Sequence, residues 1–352
     1  MSGQHRWALG LATSTGLFGL TLTGSLAVLA HYFVEEFSRP HTLLPESAFS
    51  WELPKAMGDP PPALQRSLLF RTADGTLLCG TFWAQPRPAP TIILCHGYRV
   101  SSVHLRPAAA LEYACGYNVL FFDFRGHGAS DSVLTSAGNA EVRDLEAALF
   151  VARQQPETLP GKIIIHGFSM GASVALLTSP QPDVIAIIAD SPYARSDDIM
   201  RRLINLALTE GSVHWHPLLA TFRFLIPIIA WCTVLMSAIV FRLRFGFNVV
   251  ARPDTSFKRW KTRSHLALQQ HSIPILLIHC TGDTLIPIAH AKQLAAEARA
   301  NGVPLETHFV EEGEHCGAFG YNPQQYNALL RDFLARHLQD DLPEQHRGMA
   351  IG

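Results

Sequence analysis

Five short apolar runs recur along the middle of the chain, at Thr91–Cys95, Asn118–Phe122, Lys162–Ile165, Val184–Ala189 and Ile275–Cys280. Each is too short for a helix and each ends in a turn. Each is therefore expected as a strand buried on both faces of a parallel sheet. Leu305–Val310 is a further strand candidate. Between them the apolar residues recur at helical spacing, as in Val142, Leu145, Leu149 and Ala152, and again in Tyr326, Leu329, Leu330, Phe333 and Leu334. Strand–helix alternation of this kind specifies an α/β fold with a mostly parallel, doubly wound sheet. Ahead of it, Ser67–Thr72 and Thr76–Trp83 flank Asp74-Gly75, the signature of a β-hairpin.

Composition narrows the partners. Lys and Arg number 28 against 29 Asp and Glu, a net charge of −1, so no nucleic-acid partner is expected. Charged residues make up only 16% of the chain and apolar ones 48%. A chain that apolar is not disordered, and the charge deficit points to some contact with lipid. The six cysteines include no C-x-x-C pair, and Cys79, Cys95, Cys232 and Cys280 sit inside apolar runs. All six are expected to be free, structural and mostly buried.

Two stretches are candidates for that lipid contact. Trp7–Val34 carries no Lys, Arg, Asp or Glu over 28 residues, and about 20 apolar residues span a bilayer. A retained single-pass anchor over residues 1–39 is the favoured expectation. A signal peptide cut after Ala30 is the alternative, although the stretch is long for one. Arg6 before it and Glu35 and Glu36 after it suggest the amino terminus inside and the remainder outside. A proline-rich linker is expected over 40–63, and a flexible polar tail over 339–352. The second stretch, Phe224–Phe241, has 18 uncharged residues, with Pro227 expected to kink or break any helix there.

Gly167-Phe168-Ser169-Met170-Gly171 directly follows a predicted strand and precedes Ala172–Thr178, which can continue as a helix. A serine on a sharp strand-to-helix turn has its hydroxyl lifted above the sheet edge, and flanking glycines let neighbouring backbone pass close by. Serine is a weak nucleophile without a base, and the base needs an orienting group. In this elbow the partners follow in the order acid, then histidine. Asp283, in Thr281-Gly282-Asp283, ends a predicted strand, at the edge where open α/β sheets bind ligands. His315 lies in a glycine-flanked loop after the last strand candidate. The backbone N–H groups of Tyr98, after His96-Gly97, and of Met170 are candidates to hold an oxyanion. His96 and His127 are expected to order loops rather than act as bases. His214 and His216 form an H-x-H without carboxylate neighbours and are expected to be incidental, so no metal is assigned.

Four blocks carry a family resemblance. They are His96-Gly97, Asp123-Phe124-Arg125-Gly126-His127-Gly128-Ala129-Ser130, Gly167–Gly171, and Thr281-Gly282-Asp283 with His315. Over about residues 64–338 the chain resembles the α/β-hydrolase superfamily, in particular its esterase, thioesterase and serine-aminopeptidase-like branch. The elbow departs from many members in having Ala172 where they have a second glycine. The resemblance implies an α/β-hydrolase fold with a helical lid, no cofactor, a Ser169–His315–Asp283 triad, and oxyanion donors at Tyr98 and Met170. It leaves Asp190, which also ends a strand, as the alternative acid.

Such a triad bears on the second apolar stretch. Ser169 precedes it, while Asp283 and His315 follow it, so a single crossing would part nucleophile from base. It is also too short for two crossings. An apolar, basic lid is therefore expected over about 196–263. Residues 201–263 hold ten Lys and Arg against two acids, a net +8. That pattern suits either an interfacial element attracted to anionic headgroups or a lid helix buried on the sheet. The leading expectation is a membrane-tethered serine hydrolase of carboxylic esters, with a small-molecule or lipid-like substrate. A serine peptidase or acyltransferase on the same triad, and a non-catalytic membrane-anchored binding protein, are the alternatives.

Overall fold

The computed structural model describes residues 24–39, 59–211, 221–246, 248–267 and 273–338. Two compact units emerge. Of the described residues, the larger comprises those within Arg39–Ser196 and from Val250 to Leu338; the smaller comprises 24–38 and those within Asp197–Val249.

The larger unit is built on eight strands: β1 (Gln65–Arg71), β2 (Leu77–Trp83), β3 (Ala89–Cys95), β4 (Asn118–Phe122), β5 (Thr158–Phe168), β6 (Val184–Asp190), β7 (Ile275–Cys280) and β8 (Leu305–Val310). They lie in the order β1-β2-β4-β3-β5-β6-β7-β8. β1 and β2 pair antiparallel around the Asp74-Gly75 turn, and β2 pairs antiparallel with β4. From β4 to β8 every pairing is parallel. β3 and β4 are buried along their whole length, as the continuous apolar runs require.

The helices of the larger unit cover this sheet. α2 (Arg106–Ala114) and α10 (Pro323–Leu338) share a core with it, in which Leu105, Ala109, Phe333 and Leu334 meet Trp83, Ile92 and Phe121. α3 (Glu141–Arg153) and α4 (Met170–Leu177) are buried outside that cluster, through Leu145, Leu149, Val174 and Leu176 among others. α7 (Ser256–Ala267), α8 (Ala289–Ala300) and the short α9 (Gly317–Tyr321) complete the unit. The sequence-predicted strands recur with only their ends moved. The largest change is β5, which begins at Thr158 because Thr158 pairs with Ala89 before Pro160 and Gly161 interrupt the apolar pattern.

The smaller unit holds α1 (24–38), most of α5 (Ser196–Gly211) and α6 (Ile226–Phe245). Pro227 does not break α6. It occupies the first turn, where a missing N–H costs nothing and the fixed φ suits the helix, and the helix runs on for 20 residues. The division between the units falls at Val249, short of residue 263. Ala251 N–H donates to Ser196 Oγ at 2.8 Å and Asp254 N–H to Ala194 O at 3.1 Å, binding that stretch to the larger unit.

Residues 1–23 of the expected anchor, most of the expected linker, the tail at 339–352, and His214 and His216 lie outside the described residues. α1 covers the end of the expected anchor and continues past Val34 to Ser38. All six cysteines are free; Cys95, Cys280 and Cys316 are buried, and Cys79, Cys115 and Cys232 are half-buried.

Candidate active site

The parallel strands deliver four loops to one sheet edge. Ser169 follows β5, Asp283 follows β7, His315 follows β8 and Tyr98 follows β3. That edge carries the carboxyl ends of the strands, where open α/β sheets bind ligands.

Ser169 sits at φ 53°, ψ −113°, between the last residue of β5 and the first of α4. A non-glycine residue at positive φ costs on the order of 1–3 kcal/mol, so its surroundings must hold it there. Its N–H donates to Asp190 O at 2.8 Å, and its carbonyl accepts from Ser173 N–H at 3.0 Å. Both flanking glycines are needed for space. A Cβ on Gly171 would lie 2.2 Å from Cys95 O, and one on Gly167 2.5 Å from Gly171 O. The elbow thus fits only because its neighbours lack side chains.

The three side chains singled out by order along the sequence come together. His315 Nε2 is 2.8 Å from Ser169 Oγ, and His315 Nδ1 is 2.7 Å from Asp283 Oδ2. Asp283 is buried, and its other oxygen, Oδ1, accepts from the N–H groups of Leu285 at 3.0 Å and Ile286 at 2.8 Å. Those two donors fix the carboxylate, so Oδ2 is committed to the imidazole. Burial disfavours the charged form of His315, but the hydrogen bond and negative charge of the Asp283 carboxylate favour it, and the imidazole pKa is raised above 6.5. The Cys316 sulfur lies 3.7 Å from His315 Nε2.

Asp190 is not joined to His315. Its Oδ1 accepts from Ser191 Oγ at 2.8 Å and its Oδ2 from Tyr326 OH at 3.0 Å. Since Tyr326 donates to Asp190, it accepts from His166 Nε2, 2.9 Å away, and His166 Nδ1 meets Glu112 Oε1 at 2.5 Å. Burial pushes the Glu112 and Asp190 carboxyls above the usual range. The chain of bonds ends at the histidine loop, because Ser191 Oγ accepts from Cys316 N–H at 3.2 Å. Ser191 and Cys316 both stand at positive φ, 55° and 54°. Sequence reasoning missed this buried path. Glu112, His166 and Tyr326 come from distant segments, and no local spacing announces them.

Met170 directly follows Ser169, and the loop after β3 passes close to the serine at Gly97. Met170 is the first residue of α4, and a Cβ on Gly97, next to Tyr98, would lie 3.3 Å from the Ser169 Cβ. The loop holding Tyr98 is pinned by two histidines. Phe124 N–H donates to His96 Nε2 at 2.9 Å, and His96 Nδ1 is 2.6 Å from Gly97 O. Arg99 N–H donates to His127 Nε2 at 3.2 Å, and His127 Nδ1 is 2.9 Å from Arg125 O. Burial, helped by the neighbouring His127, drives the His96 pKa down to about 3, so its ring is neutral and both its nitrogens are engaged. Arg125 spans Asp74 and Asp144, tying the hairpin turn and α3 to the loop after β4.

Among the described residues no group of His, Cys, Asp and Glu is arranged to hold a metal ion.

Residues 92–329 match the Alpha/beta hydrolase family. Among curated proteins the chain is 28% identical to the uncharacterised protein YqkD of Bacillus subtilis (strain 168), over 71% of this chain and 72% of that one. Among solved structures it resembles the esterase Pf2001 of Pyrococcus furiosus, with a TM-score of 0.59 and 21% identity, covering 86% of this chain and 98% of that chain. It also resembles an acylaminoacyl peptidase of Pyrococcus horikoshii, with a TM-score of 0.52 and 18% identity, over 78% of this chain and 41% of the other.

Proposed function

The chain belongs to the alpha/beta hydrolase family, and from that premise we propose that it is a serine hydrolase of carboxylic esters, with Ser169 as nucleophile, His315 as base and Asp283 as orienting acid. The observation that carries this reading is the unbroken series of hydrogen bonds from Ser169 Oγ through His315 to Asp283, at 2.8 and 2.7 Å.

The chemistry follows from those contacts. His315 Nε2 takes the Ser169 proton as Oγ attacks the ester carbonyl. Asp283 keeps the other proton on Nδ1 and stabilises the imidazolium that forms. The N–H groups of Tyr98 and Met170 hold the oxyanion, where one such donor is worth about 10²–10³ in rate. His315 then protonates the departing alkoxide. Water, deprotonated by the same imidazole, attacks the acyl-enzyme and releases the acid.

We extend the proposal to the rest of the chain. The apolar stretch leading into α1 is a membrane anchor, the insertion between β6 and β7 acts as a lid, and the substrate carries an acyl chain. The test is hydrolysis by the purified full chain of p-nitrophenyl esters of increasing acyl length, alongside aminoacyl anilides. Ester turnover favouring medium or long chains is expected. Turnover of anilides with inert esters would overturn the ester assignment in favour of a peptidase.

A further inference from the structure

The smaller unit gathers a long apolar strip on one helix face. On α6, Ile226, Ala230, Val234, Ser237 and Phe241 are buried. On its other side Ile228, Trp231, Leu235 and Ile239 are exposed, and Phe224 and Leu243 extend the row at the two ends, 70% and 83% exposed. Steps of three and four residues keep such a row on one side of a helix about 30 Å long. Surface apolar residues normally occur singly, and a continuous row marks something that covers it. The buried side is partly accounted for within the unit. Ser237 Oγ lies 3.5 Å from Ala30 O, bringing α1 against α6.

By length and composition, Arg223–Leu243 can cross a membrane. The sheet forbids it from doing so once. β6 and β7 are hydrogen-bonded neighbours, with Ile187 opposite Ile275 and Asp190 opposite Ile278. The chain therefore leaves the sheet at Asp190 and returns at Ile275 on the same side of any bilayer. A single crossing needs a second to bring the chain back, and no other segment of the insertion suits. α5 bears Asp197, Asp198, Arg201 and Arg202, and α7 bears Lys258, Arg259, Lys261 and Arg263. The nine residues 212–220 fall well short of the roughly 20 that a span requires.

We propose that α6 is a monotopic membrane helix. It lies in the plane of an anionic bilayer with the Phe224–Leu243 strip among the acyl chains and α1 against its opposite face. The charge supports that occupant. Arg223 and Arg242 are exposed near the two ends of the strip, and within the smaller unit Asp197–Val249 carries five basic residues against three acidic ones. Basic residues framing an apolar face set it at the depth of lipid phosphates. This inference rests on neither the proposed nucleophile nor the proposed spanning anchor.

The test reads Trp231, at the centre of the strip, in the full chain. The protein is mixed with phosphatidylcholine–phosphatidylglycerol vesicles whose acyl chains carry bromine near the headgroup or near the chain end. Shallow bromine is expected to quench tryptophan emission more than deep bromine, and Trp231→Phe to remove that part of the signal. Because the readout is the difference between the two proteins, an anchor elsewhere in the chain cannot mimic it. Stronger quenching by deep bromine would mean a crossing helix and overturn the proposal. Quenching that is the same with and without Trp231 would mean that residues 1–23, or a second copy, cover the strip, and would overturn it too. Arg242→Gln is expected to raise the lipid needed for half-maximal Trp231 quenching by about five-fold. An unchanged midpoint would refute the headgroup pairing.

Discussion

Replacing Ser169 by alanine is expected to lower kcat for ester hydrolysis by roughly 10⁶-fold while leaving KM close to its original value. The size follows from the role. Without Oγ no acyl-enzyme forms, and what remains is the oxyanion donors acting on a direct attack by water. The fold should be unaffected, because the strained turn is held by backbone contacts that alanine keeps. Ser169 N–H still reaches Asp190 O, and its carbonyl still caps Ser173 N–H. Equal thermal melting of the two proteins, measured beside the rates, separates lost chemistry from lost structure. A residual rate within tenfold of the unaltered protein would remove Ser169 from the mechanism.

Asp283→Asn is expected to cost about 10⁴ in kcat, whereas Asp190→Asn costs about tenfold or less. The difference lies in the hydrogen bonds. Oδ1 of Asp283 is held by the N–H groups of Leu285 and Ile286, so the amide oxygen of asparagine stays there and its NH₂ faces His315. Nδ1 must then accept, the ring proton moves to Nε2, and the nitrogen facing Ser169 Oγ has no lone pair to take its proton. Asp190 touches Ser191 and Tyr326 instead, and its asparagine variant disturbs the histidine loop only through Cys316 N–H. The pH profile adds a sign. His315 must be neutral to act as base, and its pKa is held above 6.5, so activity is lost as pH falls through a value above 6.5. In Asp283→Asn that acid limb should move to lower pH, because the carboxylate that favours the imidazolium is gone. A limb that stays in place, or equal losses in the two variants, would show that Asp283 does not orient the base.

The frame of the molecule was legible because its signals are local. A run such as Ile275–Cys280 reads as a buried strand from six consecutive residues, and the Ser169 turn from five. Asp283 and His315 were legible because each is the first suitable group after a strand, in the order this elbow requires. What escaped is non-local. The antiparallel pairing of β2 with β4 leaves no trace in either strand. The path from Glu112 through His166 and Tyr326 to Asp190 joins four elements, and its members look like ordinary surface or core residues in sequence. Pro227 misled because the helix boundary was unknown: the same residue that breaks an interior turn is neutral at the start. The approach of α1 to α6 joins segments about two hundred residues apart, and only the fold brings Ala30 beside Ser237.

The central claim is that Ser169 is an activated nucleophile. The direct measurement is to treat the full chain, in detergent, with a fluorophosphonate probe and map the adduct by peptide mass spectrometry. One adduct is expected, on Ser169, formed rapidly in the unaltered protein and far more slowly in His315→Ala. A folded protein that takes up no probe, or takes it up on another residue, would mean that Ser169 is not an activated nucleophile.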